Sequence, residues 1–186
     1  MPVFGIAYQI DEAFDITAYG SQLIGDLDPQ LALVRLRYTA NETLGLGLGY
    51  FGLWQDGTAT RPDPRDQRVR LEAYLNFPFG NSWIASHRSR AEYRFRDVEN
   101  GWRYRPNLRL QRAFDIAGVR SISPFGFVEP FYDVNEAEVS SVEYAFGVNL
   151  DLIEEINLEA WATHTEARGA AADFQYISLL FTYSLN

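Results

Sequence analysis

Apolar and polar residues alternate with a period of two over most of this chain, most sharply between Ser82 and Phe114. Arg88, Arg90, Glu92, Arg94 and Arg96 take the even positions there. Ala85, Ala91, Tyr93 and Phe95 take the odd ones, interrupted by His87 and Ser89. After Asp97-Val98-Glu99-Asn100-Gly101 the parity reverses. Trp102, Tyr104, Leu108 and Leu110 then share one side, and Arg103, Arg105, Asn107, Arg109 and Gln111 the other. Successive side chains on a strand point to opposite faces, so this spacing predicts two strands with one apolar and one cationic face. Asn100-Gly101 predicts a tight hairpin tip between them. Both runs exceed the ~5–6 residues of an ordinary strand, which suits a barrel wall.

The same period recurs along the chain. Phe4, Ile6, Tyr8 and Ile10 predict a first strand turning at Asp11-Glu12, and Phe14, Ile16 and Ala18 a second that ends near Gly25 to Pro29. Leu31 to Thr39 and Thr43 to Trp54 follow; in the latter Leu44, Leu46, Leu48 and Tyr50 oppose Gly45, Gly47 and Gly49, leaving one wall bare. A polar loop over Gln55 to Asp66 precedes a strand with Val69, Leu71, Ala73 and Leu75 against Arg68, Arg70, Glu72 and Tyr74. Beyond the cationic hairpin come an aromatic strand, Pro124 to Tyr132, an acidic loop, Asp133 to Glu138, and strands over Val139 to Asp151, Ile156 to Thr165 and around Ile177 to Leu185. That reading counts eleven strands. Because bacterial single-chain barrels use even numbers, the expectation is ten to twelve, with twelve favoured.

Connections alternate between tight (Ala40 to Glu42, Pro78 to Asn81, Leu152 to Glu155) and longer (Gln55 to Asp66, Asp133 to Glu138, Glu166 to Ala172). Transmembrane barrels show this asymmetry, with short periplasmic turns and longer outer loops. No segment has the period of a helix that could cover an apolar sheet face, so lipid is the expected cover. Tyr38, Trp54, Phe77, Trp83, Trp102 and Tyr183 lie near stripe ends, where an interfacial girdle would sit. The expected architecture is therefore an all-β, antiparallel, up-and-down transmembrane β-barrel forming one domain over residues 1–186.

Composition narrows the chemistry. There is no Cys, which removes disulfides and thiolate sites, and no run of apolar residues long enough for a transmembrane helix. Nothing at Met1-Pro2-Val3 has the pattern of a signal peptide, so a mature or trimmed form with an added start Met is expected. All 16 basic residues are Arg. Residues 67–112 hold ten of them against four acids, whereas the rest of the chain holds six against 21. A chain of net charge −9 whose cations sit on one face of consecutive strands is a poor nucleic-acid binder.

If the apolar parity faces lipid, Arg68, Arg70, Arg88, Arg90, Arg94, Arg103, Arg105 and Arg109 line the lumen. Glu72, Glu92, Glu129, Glu143 and Glu159 share it. Like charges directly across a sheet repel, so acids must be interleaved among the arginines. One reading is a structural network, favoured because unpaired buried charge is costly. The other is an anion-attracting constriction, since rings of Arg set anion selectivity. Strict parity sends Phe125, Phe127 and Phe131 inward with Glu129 and leaves Pro130 mid-strand, which a bulge or an inner aromatic cluster would resolve. Glu129 is expected to pair with one or more inner arginines.

His87 and Ser89, two apart on the apolar face, raise the alternative of a lipid-acting enzyme, but no third, orienting group accompanies them. Two histidines without Cys make no metal site, and no phosphate loop or dinucleotide fingerprint occurs, so no cofactor is expected. A soluble lipocalin-like barrel is the remaining alternative; it requires an apolar inside and a polar outside.

Arg88-Ser89-Arg90-Ala91-Glu92-Tyr93-Arg94-Phe95, then Gly101-Trp102-Arg103-Tyr104-Arg105-Pro106, Pro124-Phe125 and Glu129-Pro130-Phe131-Tyr132 follow one another in an order that resembles the outer-membrane proteins grouped as domain of unknown function 2490. Gly47-Leu48-Gly49-Tyr50 and Tyr176-Ile177-Ser178-Leu179 match the same style. The resemblance spans nearly the whole chain and implies a porin-like membrane protein of the Gram-negative outer membrane, with no agreed activity. Two positions depart from the family pattern: Glu143 stands where relatives place an Arg, and the chain closes on Tyr183-Ser184-Leu185-Asn186 without a terminal aromatic. Outer-membrane lipids are the expected partners, joined by small anionic solutes if the lumen conducts; oligomeric state stays open.

Overall fold

The computed structural model describes residues 2–22, 30–54, 65–96, 99–116, 119–168 and 173–185. They form β1 (Pro2–Gln9), β2 (Phe14–Gln22), β3 (Gln30–Thr39), β4 (Leu44–Trp54), β5 (Arg65–Phe79), β6 (Trp83–Arg96), β7 (Gly101–Arg112), β8 (Phe114–Ile116), β9 (Val119–Asp133), β10 (Glu138–Asp151), β11 (Ile156–Ala167) and β12 (Phe174–Leu185). β1 to β7 are sequential neighbours, β9 to β12 continue the wall, and β12 returns to β1. The three-residue β8 prolongs β7 past Ala113, since Gln111↔Phe125 and Phe114↔Ile122 keep one register. Eleven strands thus close the barrel, inside the expected range, and β1 is a full member of the wall. Strand directions alternate, so an odd number must close on a parallel pair. β1 and β12 supply it, from Pro2↔Leu179 to Tyr8↔Leu185.

At one end the chain crosses between strands in two to four residues; at the other it uses four to ten. Short polar side chains build two of the tight turns. Asp11 Oδ1 accepts the N–H groups of Ala13 and Phe14, each at 2.8 Å, and Asn41 Oδ1 those of Thr43 and Leu44, each at 2.9 Å. These Asx turns place the next strand in register. The Asn100-Gly101 expectation needs correction. Gly101 already lies in β7, opposite Arg94, and Asn100 Oδ1 instead accepts the Arg96 N–H at 3.0 Å. Arg65 and Asp66 likewise belong to β5 and not to the preceding loop. The rest of that loop, and the one near Gly25 to Pro29, lie outside the described residues.

The period-two pattern resolves into two faces. Among the described residues, all wall strands but β9 and β11 send large apolar side chains outward, where they stay exposed: Phe146 at 71 %, Ile177 at 66 %, Phe4 at 62 %. Arg70, Glu72, Arg90, Glu92, Arg105 and Glu129 are buried inside. A soluble ligand-binding barrel needs the reverse arrangement. Aromatics gather toward both rims of the outer face. Phe14 packs on Tyr38 and Phe79 on Trp83 at the short-turn end, and Tyr93 on Phe95 and Trp102 at the other.

Two prolines interrupt the wall between β7 and β9. Counting inward from Tyr104↔Tyr132 and Leu108↔Val128 places Pro106 opposite Pro130. Neither has an N–H to give. The ladder therefore lapses over the three positions between those pairs. No register shift occurs there; the shift in this region falls between Val139 and Ser141 of β10.

Packing inside is tight enough to require Gly147. A Cβ there would stand 2.5 Å from Trp161 Cβ, 2.8 Å from Phe125 Cζ and closer still to the Ala160 carbonyl oxygen. At Gly126, by contrast, the nearest atom would be the Ala145 carbonyl oxygen at 3.5 Å, an ordinary contact. Gly147→Ala is expected to cost about 1–3 kcal/mol through overpacking and Gly126→Ala close to nothing. Urea unfolding midpoints of the two variants would show the difference.

Candidate functional site

The interior charges come mainly from β5, β6, β7, β9 and β10, and the register decides which of them meet. Arg70 lies across from Glu92 and Glu72 across from Arg90, opposite charges directly paired. Arg90 faces Arg105 on the other side, an unfavourable juxtaposition by itself. Glu92 resolves it. Its carboxylate lies 3.1 Å from Arg70 Nε, 3.5 Å from Arg68 Nη1, 3.6 Å from Arg90 Nη1 and 3.7 Å from Arg105 Nη1. It is 0 % exposed.

Glu129 forms a second centre beside the first. It accepts hydrogen bonds from Arg88 Nη2 at 2.7 Å and Arg105 Nη2 at 3.0 Å, as the sequence leads one to expect. Glu143, the position that departs from the family pattern, sits directly across from Glu129. Arg105 holds the two acids apart, reaching Glu143 at 3.6 Å, and the Tyr176 hydroxyl donates to Glu143 at 3.3 Å. Glu72 is bound by the Arg90 guanidinium and the Tyr74 hydroxyl. The Arg that the family pattern places at this position is thus unnecessary, because Arg105 spans both acids.

Three of the anticipated arginines fall outside this centre. Arg94 joins Arg68 on Asp66 near the long-loop end, the Arg68 contact being 2.6 Å. Arg103 grips Asp133 with two hydrogen bonds of 2.8 and 2.9 Å. Toward the short-turn end Arg109 pairs with Glu159 at 2.9 Å. The polar runs around Asp66 and Asp133 read as loops, although each residue keeps the parity of the inward residues beside it (Arg68 and Arg70; Glu129 and Phe131). That parity was the available signal.

Inner aromatics carry part of the load. Arg105 Cζ lies 3.8 Å from the Phe131 ring centroid, Arg109 Cζ 3.7 Å from Phe125, and Arg70 Cζ 4.3 Å from Phe51. Ring faces attract cations, and more so away from water. The aromatic cluster, with no bulge at Pro130, is how Phe125, Phe127 and Phe131 share a face with Glu129. The bare stripe of β4 makes room. A Cβ on Gly47 would come within 3.3 Å of the Tyr74 ring and one on Gly45 within 3.5 Å of Arg37 Nε. Arg35 and Arg37 lie over Tyr74 with their Cζ atoms 6.0 and 5.4 Å from its centroid. Neither has a carboxylate within ion-pair distance among the described residues. The opposite wall carries fewer charges: Thr17, Thr163, Thr165 and Ser178 are buried there.

On the outer face His87 Nε2 and Ser89 Oγ are 2.9 Å apart, and Ser89 Oγ is 3.0 Å from the Tyr104 hydroxyl. The structure therefore brings the sequence-suggested pair together and adds Tyr104. No carboxylate or amide joins His87 among its described hydrogen-bond partners, so the base lacks an orienting group. The trio satisfies its own polar groups on an otherwise apolar surface.

A family model described as a protein of unknown function, DUF2490, matches residues 6–168. The chain belongs to the DUF2490 family. In this DUF2490 barrel the matched stretch contains every carboxylate and guanidinium of the interior network described above. No curated protein and no solved structure matches the chain.

Glu92→Gln preserves shape but leaves the guanidinium groups around it short of a counter-charge. A loss of about 3–5 kcal/mol is expected, the cost of breaking a buried pair. Glu159→Gln, which removes a single partner from the half-wet Arg109, should cost about 1 kcal/mol. Reversible urea unfolding followed by tryptophan fluorescence measures both.

Proposed function

We propose that the protein is a bacterial outer-membrane β-barrel whose lumen is closed at mid-height by the Arg–Glu network, and that it acts as a structural component of the membrane wall. The observation that carries this reading is the polarity of the wall. Among the described residues, large apolar side chains from nine of the eleven wall strands face outward and stay exposed, while charges face inward. In water such a surface would far exceed the apolar patch a soluble monomer exposes. In a bilayer it is the required exterior, and barrel closure satisfies the backbone polar groups. The aromatic rims match the two interfaces, and the short-turn end is the periplasmic one.

Closure of the lumen follows from burial. Glu92 is wholly inaccessible, and Phe125 and Glu129 are each 2 % exposed, so side chains fill the cross-section around them. An outer-membrane pore of porin type keeps a water-filled channel there instead.

One observation favours a second reading, a narrow anion-preferring pore. Arg35 and Arg37 carry positive charge without an ion-pair partner among the described residues, beside the glycine stripe of β4. Unbalanced guanidinium groups beside a bare wall attract anions.

Two experiments test these readings. Leu48→Arg, at the middle of β4 on the outer face, should cost about 2–4 kcal/mol in protein folded into phospholipid vesicles. An unchanged urea midpoint would overturn the membrane assignment, since an exposed Leu→Arg change is nearly neutral in water. In planar bilayers the wild-type protein should give no steady conductance. A stable anion-selective current that falls in Arg35→Ser and Arg37→Ser would replace the structural reading with the pore.

A further inference from the structure

The outer face is not uniformly smooth. Between β7, β9 and β10 the side chains drop away at Gly126, which stands between Leu110 on one side and Phe146 on the other. Leu110 and Phe146 are both exposed, so they form two ridges with no side chain between them. The resulting groove has a volume of about 710 Å³ and is almost entirely apolar. It runs along β9 from Pro124 to Val128, about 14 Å of strand.

A cation stands at its short-turn end. Arg112 is the last residue of β7, one beyond Gln111, whose partner is Phe125, and it shares the outward parity of Leu108 and Leu110. Its guanidinium lies 4.7 Å from the Phe114 centroid and 5.4 Å from that of Trp83. Unlike the inner arginines of β5 to β7, Arg112 has no carboxylate within ion-pair distance among the described residues. A planar guanidinium beside two rings, with no carboxylate on it among the described residues, is suited to a bidentate phosphate.

We propose that this groove holds one phospholipid of the surrounding bilayer, with an acyl chain lying over Gly126 between Leu110 and Phe146 and the phosphate on the Arg112 guanidinium. The inference rests on the membrane reading above and adds a defined lipid site to it. The two halves of the site agree in direction: the charge lies at the rim, beside the aromatic band, and the apolar trough leads from it toward the middle of the wall. The site is separate from Ser89. Arg112 lies opposite Trp83, six residues along β6 from Ser89, or about 20 Å. A glycerol ester near Arg112 is out of reach of that hydroxyl, so the lipid is a bound component and not a substrate of the Ser89–His87 pair.

The protein would be refolded into nanodiscs of phosphatidylglycerol and phosphatidylcholine, released in mild detergent, and weighed by native mass spectrometry. Wild type should retain one phospholipid. Gly126→Leu fills the trough and should abolish retention. Arg112→Gln should lower it by about tenfold, with partial recovery in Arg112→Lys, which keeps the charge but not the fork. Arg120→Gln, at an exposed arginine paired with Glu154 at 3.6 Å, should change nothing. Folding of each variant is checked by its heat-dependent electrophoretic mobility. Equal retention in all variants, meaning annular lipid only, would overturn the site. So would a dimer mass without lipid, meaning a second copy in the groove. In either case a barrel that still enters vesicles leaves the membrane reading standing. A protein that does not enter vesicles at all sinks both.

Discussion

A carboxylate that water cannot reach has to be neutralised by groups already in place, and in this barrel Glu92 is neutralised by guanidinium groups from three strands. Arg68 and Arg70 come from β5, Arg90 from its own strand and Arg105 from β7. The pairing register of those strands is therefore tied to a single buried acid. A slip of one residue would turn each inner face outward, carrying Arg and Glu into the apolar surface and Leu and Tyr inside. Low interior dielectric raises both the attraction among these groups and the cost of leaving one unpaired.

The network also explains the uneven texture of the wall. Arginine is long, so a barrel that folds ten of them inward needs strands that contribute almost no side-chain volume. The glycine stripe of β4 supplies that space for Tyr74, Glu72 and the Arg37 side chain. Gly147 does the same for Trp161 and Phe125. Guanidinium groups already paired with acids also lie over the ring faces of Phe51, Phe125 and Phe131. Small hydroxyl residues on the far side complete the packing without adding charge.

Irregularities of the outer surface lie on the same strip of wall as the densest charge. The Pro106–Pro130 gap in the ladder, the Ser89–His87–Tyr104 trio and the Gly126 groove all fall on β6, β7, β9 and β10. Inside that strip lie Arg88, Arg105, Glu129 and Glu143. The proline gap removes backbone bonds from the one seam that the ion pairs of Glu129 brace from within. Cross-strand hydrogen bonding and buried charge thus trade places along β7 and β9.

Alternation with a period of two was enough to fix the strands, the sorting of arginines to one face and the contrast between tight and long connections. All of these are local properties: a side chain's face depends only on its parity. Glu129 as a partner of inner arginines was legible for the same reason. Pairing distance and closure were not. That Glu92 rather than Glu72 collects most of the cations, that Arg105 bridges Glu129 and Glu143, and that Asp66 and Asp133 extend the network depend on stagger between strands far apart in sequence. The parallel seam of β1 with β12 and the opposition of Pro106 to Pro130 have the same origin. Local pattern specifies which way a residue points; only the closed sheet, where register accumulates around the circumference, decides what it meets.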